Sequence, residues 1–204
     1  MTLERISTTN KRLDDSQIRE SLRFILRDEC SKHNDVMLIE ELGVFQGDFR
    51  VDLATVNGHI HGYEIKSDVD TLSRLSSQVK AYSSIFQYLT VVVGQRHLAE
   101  VRKKLPKFCG LMLATYEGSE VTLKEVRKPK KNCAIEPSAM IQLLWRDESL
   151  ALLELLGHSK GIKSKPRQVL WDKLVQIAKP REIQSFVTET IKKRTSWRVD
   201  LPHA

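Results

Sequence analysis

The sequence predicts an α/β fold: a mixed central sheet flanked by helices, then a helical C-terminal region. Three observations carry that prediction. Across residues 14–115 apolar positions recur at helical spacing, then in short β-branched runs, then at helical spacing again. Asn57-Gly58 lies between two strand-like segments, the strongest short hairpin signal. After residue 133 the strand signals stop, and Pro137, Pro166 and Pro180 each stand where a first helical turn would begin.

Taken in order, residues 14–33 read as an opening helix, capped by Asp14 or Asp15, with Ile18, Leu22, Ile25 and Leu26 on one side. Residues 36–44 contain the run Val36-Met37-Leu38-Ile39 and read as a strand ending near Glu40 and Glu41. Residues 49–56 and 60–66 form the two hairpin strands. Residues 70–86 return to helical period through Leu72, Leu75, Val79 and Phe86, and residues 88–93 form a buried β-branched strand. A short helix over 96–105 and a strand over 110–115 follow, with a further edge strand over 120–126. Three strands in a meander followed by a helical crossover imply a mixed sheet with helices packed against it. Residues 127–132 read as a basic linker, and 137–156, 166–178 and 180–194 as helices. The expected division is a core over 1–126 and a basic helical region over 133–204.

With 204 residues, 41% hydrophobic and 29% charged, the chain can bury a core and is not a disordered polyelectrolyte. Cys30, Cys109 and Cys133 are odd in number and far apart, which argues against a disulfide framework and a four-cysteine zinc site. Residues 1–10 hold no apolar run, so no signal peptide is expected, and runs such as 89–93 are too short to span a bilayer. A soluble cytoplasmic protein with no membrane partner is expected. The net charge of +7 is uneven: residues 1–119 hold 16 basic and 16 acidic groups, residues 120–204 hold 17 and 10. Such a field attracts nucleic acid, although a lysine-rich solvated surface gives the same count.

The chemistry concentrates on the hairpin. Alternate strand residues share a face, so Glu64 and Lys66 point the same way. A two-residue loop at Asn57-Gly58 would turn Asp52 to the other face. A three-residue loop, Val56-Asn57-Gly58 with Gly58 left-handed, pairs Thr55 with His59, sets Asp52 opposite Gly62 and puts even numbers against even. The second register gathers Val51, Leu53, Tyr63 and Ile65 on an apolar face. The other face then carries Asp52, Glu64 and Lys66, with Gly62 leaving space for a metal or phosphate. Two neighbouring carboxylates repel unless a cation lies between them, and hard oxygen donors suit Mg²⁺ or Mn²⁺. A Glu-x-Lys triplet alone arises about once by chance in a chain with 15 Glu and 18 Lys, so the weight rests on the conjunction.

Asp52, eleven intervening residues and Glu64-x-Lys66 on a hairpin behind a helix resemble the PD-(D/E)XK, or restriction-endonuclease-like, nuclease superfamily. Its αβββαβ core matches the element order over 14–93, and Val51 stands where the motif name has proline. By that resemblance Asp52, Glu64 and the Ile65 carbonyl bind the metal, and Lys66 is the catalytic lysine. Glu20 matches the accessory glutamate of the first helix, with Glu41 its rival, and Gln78-x-x-x-Tyr82 matches the Gln-x-x-x-Tyr motif of RecB-like branches. Gln78 and Tyr82 would line the site or touch DNA. Residues 150–156, 157–165 and 169–175 read as helix, basic loop and helix, which resembles SAP-type DNA-binding motifs. Packing of those helices on the core, with Trp145 and Trp171 as buried anchors, is the alternative. His59, His61 and His97 show no ligand spacing and are expected in turns or on the surface.

The resemblance implies a Mg²⁺- or Mn²⁺-dependent deoxyribonuclease of bacterial DNA repair, recombination or defence, with DNA more than RNA as partner and room for a homodimer. A non-catalytic nucleic-acid-binding module on a nuclease-like scaffold is the competing class. An interaction subunit with a solubilising basic tail is a third.

Overall fold

A computed structural model describes residues 12–33 and 35–194; the reading of residues 1–10 lies outside them. Helix α1 (Asp15–Ser31) starts at a capping box: Asp14 Oδ1 accepts from the Gln17 N–H at 3.0 Å, and Gln17 Oε1 accepts from the Asp14 N–H at 3.2 Å. Then come β1 (Met37–Val44), β2 (Phe49–Val56) and β3 (Ile60–Lys66), α2 (Leu75–Ser83), β4 (Tyr88–Gly94), α3 (Leu98–Lys104), β5 (Gly110–Glu117) and β6 (Glu120–Arg127). The six strands form one sheet in chain order, antiparallel from β1 to β3, parallel from β3 to β5 and antiparallel at β6. The α/β class and the mixed sheet are as expected.

The hairpin loop differs. Val56 pairs with Ile60, and the loop is Asn57-Gly58-His59, closed by an Asn57 N–H to His59 oxygen bond of 3.1 Å with Gly58 at φ +94°. Looping out Val56 would expose a side chain that is fully buried. Even residues still face even ones, but the ladder is displaced by two, so Asp52 runs level with Glu64 rather than Gly62.

Both faces of the sheet are covered. Leu53, Tyr63, Ile65 and Val92 pack with Ile18, Leu22 and Leu26 of α1. Ala54, Val56, Ile60, Val91 and Val93 pack on the other face with α2 and the C-terminal helices. The space beside Gly62 is taken by Phe86: a Cβ built at Gly62 would lie 2.6 Å from Phe86 Cδ2. It is therefore no vacancy for a metal or phosphate.

Helix α2 begins five residues later than periodicity suggests, because the 67–70 turn consumes its own polar groups. Asp70 Oδ2 accepts from the Ser67 N–H and hydroxyl at 2.7 and 2.6 Å, while Asp68 accepts from the Leu13 and Arg96 N–H groups. His97, expected near the surface, is buried with Nε2 3.1 Å from the Asp70 oxygen. His61 is half-buried, stacked on Tyr63 at 4.2 Å. The 127–132 linker is not loose: buried Asn132 donates from Nδ2 to the Ser83 and Phe86 oxygens at 2.6 and 3.0 Å.

The expected 137–156 helix is split into α4 (Pro137–Met140), a 3₁₀ turn and α5 (Arg146–Leu155), broken where Glu148 Oε2 accepts from the Trp145 N–H at 2.7 Å. Helices α6 (Arg167–Ile177) and α7 (Pro180–Lys193) follow, and the apolar residues of all four join the cluster under the sheet. Trp171 is buried there, whereas Trp145 is half-buried beneath the Arg194 guanidinium, 4.3 Å from its ring. Among the described residues no helix is long and apolar enough to cross a membrane.

Candidate functional site

Strands β2 and β3 bring Asp52, Glu64 and Lys66 together, as the period-2 reading requires. Asp52 Oδ2 accepts from the Ile65 N–H at 2.6 Å, which fixes the carboxylate across the hairpin. Lys66 Nζ and Gln78 Nε2 both donate to Glu64 Oε1 at 2.5 Å. Glu64 is only 2% exposed, and its other oxygen, Oε2, has no hydrogen-bond partner among the described residues; neither has Gln78 Oε1. Gln78 thus forms the wall of the site and orients Glu64. Tyr82 is fully buried, and its hydroxyl donates to the Arg50 oxygen at 2.7 Å. Tyr82 thus has no surface open to a nucleotide and lines the site beside Glu64.

Helix α1 presents Arg19 to this cluster, not Glu20. Glu20 is exposed and makes no hydrogen bond or ion pair with the group. One residue earlier, about 100° round the helix, Arg19 spreads its guanidinium over three carboxylates. Nη2 reaches Asp52 Oδ1 at 2.5 Å, Nη1 reaches Glu41 Oε1 at 2.5 Å, and Nε reaches Asp15 Oδ2 at 3.0 Å. Glu41 lies in mid-β1 with φ +54°, a left-handed conformation that costs on the order of 1–3 kcal/mol for a non-glycine residue. Of the two accessory candidates, Glu41 is the one that joins the cluster. Asp15 was read only as a candidate helix cap and Arg19 not at all, although their i,i+4 spacing was a weak local signal.

The sequence matches the family described as "Bacteriophage P4 protein cII" over residues 9–200. The chain belongs to the bacteriophage P4 protein cII family. It is similar to "Protein cII" of Enterobacteria phage P4, 30% identical over 163 residues, which cover 79% of this chain and 60% of that protein. The chain therefore spans about 60% of the length of this curated relative. No solved structure matches it.

In this member of the cII family the site's electrostatics follow from burial. Desolvation raises the Glu64 carboxyl to about 7; the nearby Asp52 charge adds to the rise and Lys66 opposes it. Asp52 is also raised, chiefly by desolvation, against the pull of the Ile65 N–H and of Arg19. No group of three or more His, Cys, Asp or Glu side chains is poised to hold a metal among the described residues. Glu64 Oε2, buried and without a hydrogen-bond partner, Asp52 Oδ1, which Arg19 holds, and the Ile65 carbonyl oxygen are hard donors of the type Mg²⁺ takes alongside several waters. A divalent ion fits that chemistry.

Proposed function

We propose that the protein is a Mg²⁺- or Mn²⁺-dependent nuclease that hydrolyses DNA phosphodiester bonds on a restriction-endonuclease-like αβββαβ core. The observation that carries the reading is the convergence of Asp52, Glu64 and Lys66 on one stretch of the hairpin, with Glu64 Oε2 left without a hydrogen-bond partner among the described residues. Asp52, Glu64 and the Ile65 carbonyl would hold the ion, which supplies Lewis-acid polarisation of phosphate and water. Lys66 Nζ lies 2.5 Å from Glu64 Oε1, placed to stabilise negative charge growing on a scissile phosphate. Gln78 donates to the Glu64 oxygen that Lys66 also holds and so fixes the carboxylate's orientation, and Tyr82 anchors β2 through Arg50.

The basic loop between α5 and α6 supports DNA as substrate. Lys160, Lys163 and Lys165 lie on it, and Arg167 at its end donates to Gln46 Oε1 at 2.8 Å, in the turn before β2. DNA repair, recombination or defence is the process proposed, with a homodimer as the form able to cut both strands. The test is incubation of plasmid with Mg²⁺ or Mn²⁺. Cleavage should fall by about 10²–10³ in Asp52→Ala and Lys66→Ala, and undiminished cleavage in both would overturn the assignment.

One observation favours a second reading, a non-catalytic nucleic-acid-binding module: Arg19 already neutralises Asp52. That reading expects salt-sensitive DNA binding with no cleavage under either metal.

A further inference from the structure

Asp52 offers a ligand one oxygen at most. Its Oδ2 is committed to the Ile65 N–H, and Oδ1 is held by Arg19 Nη2 at 2.5 Å. The same guanidinium holds Glu41 through Nη1, approaches the Asp52 carbonyl oxygen at 3.4 Å and meets Asp15 through Nε. A guanidinium stays charged under all ordinary conditions, so this cation leaves by moving and not by losing a proton. Beside it, the deeply buried Glu64 has a second oxygen with no hydrogen-bond partner among the described residues. The cluster thus has one carboxylate with both oxygens engaged, Oδ1 by a side-chain cation, and a neighbour whose cation, Lys66, holds one oxygen and leaves the other.

We propose that Arg19 is a resident cation standing in the divalent-ion site, and that a metal enters by displacing its guanidinium from Asp52. The displaced group has somewhere to go. Asp15 lies one turn earlier on the same helix, and its side chain is 42% exposed, so Arg19 keeps an ion pair while vacating Asp52. Lys66 does not compete in this way, because it pairs with Glu64 Oε1, leaving Oε2 for the ion. Metal affinity is then set by the fraction of time Arg19 is withdrawn, and Glu41, which pairs with Arg19 Nη1, sets that fraction with it. The inference rests on the metal-dependent reading above but adds a property that reading does not require.

The test is Mn²⁺ binding by isothermal titration calorimetry to the whole protein, with Arg19→Gln, Arg19→Lys and Asp52→Asn beside the wild type. Arg19→Gln should bind Mn²⁺ about tenfold more tightly, Arg19→Lys should fall between because it cannot bridge Asp52 and Glu41, and Asp52→Asn should abolish binding. A measurement on the unaltered protein guards against a misfolded variant: the Arg19 Nε–Hε resonance should shift on saturation with Mg²⁺. Metal binding with Arg19→Gln equal to or weaker than wild type, or an unmoved Arg19 resonance at saturation, overturns the displacement while leaving the metal site standing. No metal binding by wild type or any Arg19 variant overturns both.

Discussion

Glu64 and His61 are neighbours on β3 whose burial has opposite consequences for acid response. Glu64 is raised from an ordinary 4.5 to about 7, so the folded protein keeps a proton that the unfolded chain releases. Its contribution to stability is complete below about pH 4.5 and is lost as pH rises toward 7, on the order of 3 kcal/mol. His61 is held down from 6.5 to about 3, mainly by desolvation, with its ring nitrogens engaged by Thr90 and Tyr63. Here the unfolded chain takes the proton first, so stability falls as pH drops from about 6.5 toward 3. Between these limits the two effects oppose one another. Thermal melts over pH 4–8 in chelator should show that Glu64→Gln removes the decline on the alkaline side and His61→Gln flattens the acid side. Asp52 kept the expected face because the register differs by an even number of residues, and Glu64 and Lys66 were legible because alternation along a strand is local. Arg19 was not, because the reach of a guanidinium across α1 to two strands is a property of the packed structure.

At the scale of elements, the sequence reading placed most helices and strands but missed where side chains interrupt them. The proline-led starts of α4 and α7 and the Asp14 cap were visible as short patterns. The late start of α2 was hidden, since the Asp68 side chain bonds to groups distant in sequence while that of Asp70 turns back on Ser67. Asp14→Ala should cost about 1 kcal/mol in urea unfolding, because the Gln17 N–H and the Ser16 hydroxyl are deprived of their acceptor. A larger loss is expected where α7 ends. Arg194 donates to Glu148 Oε1 and Oε2 at 2.8 and 2.5 Å and to the Leu143 oxygen at 2.7 Å, tying α7 to the start of α5. Arg194→Ala strands a partly buried carboxylate and should cost about 3–5 kcal/mol by the same measurement. The basic run 192–194 is thus less available to solvent than its composition implies: Lys192 pairs with Asp35 and Glu189 as well.

For the whole molecule, the division at residues 127–132 marks a change in secondary structure across which packing is continuous. Val56 and Val91 of the sheet share one apolar cluster with Leu153, Trp171 and Ile191 of the C-terminal helices. The hydropathy pattern cannot announce this, because it shows that a helix has an apolar face without showing what covers it. One cooperative calorimetric transition is expected, with van't Hoff and calorimetric enthalpies equal; two resolved transitions would contradict the shared core. The surplus charge acts over the same scale. Where DNA binding is followed against salt, removing Lys160 and Lys165 together should make the log–log slope shallower by about 0.9 for each phosphate no longer neutralised.

Position 62 has a consequence that reaches beyond this chain. With the Phe86 ring 2.6 Å from where a methyl group would sit, and with Tyr82 5.6 Å from that ring, the residues at 62 and 86 divide a fixed volume between them. Related chains that carry alanine at the first position should therefore carry a smaller side chain at the second. Gly62→Ala alone should be rescued by trimming its aromatic neighbour, a compensation that neither change achieves by itself.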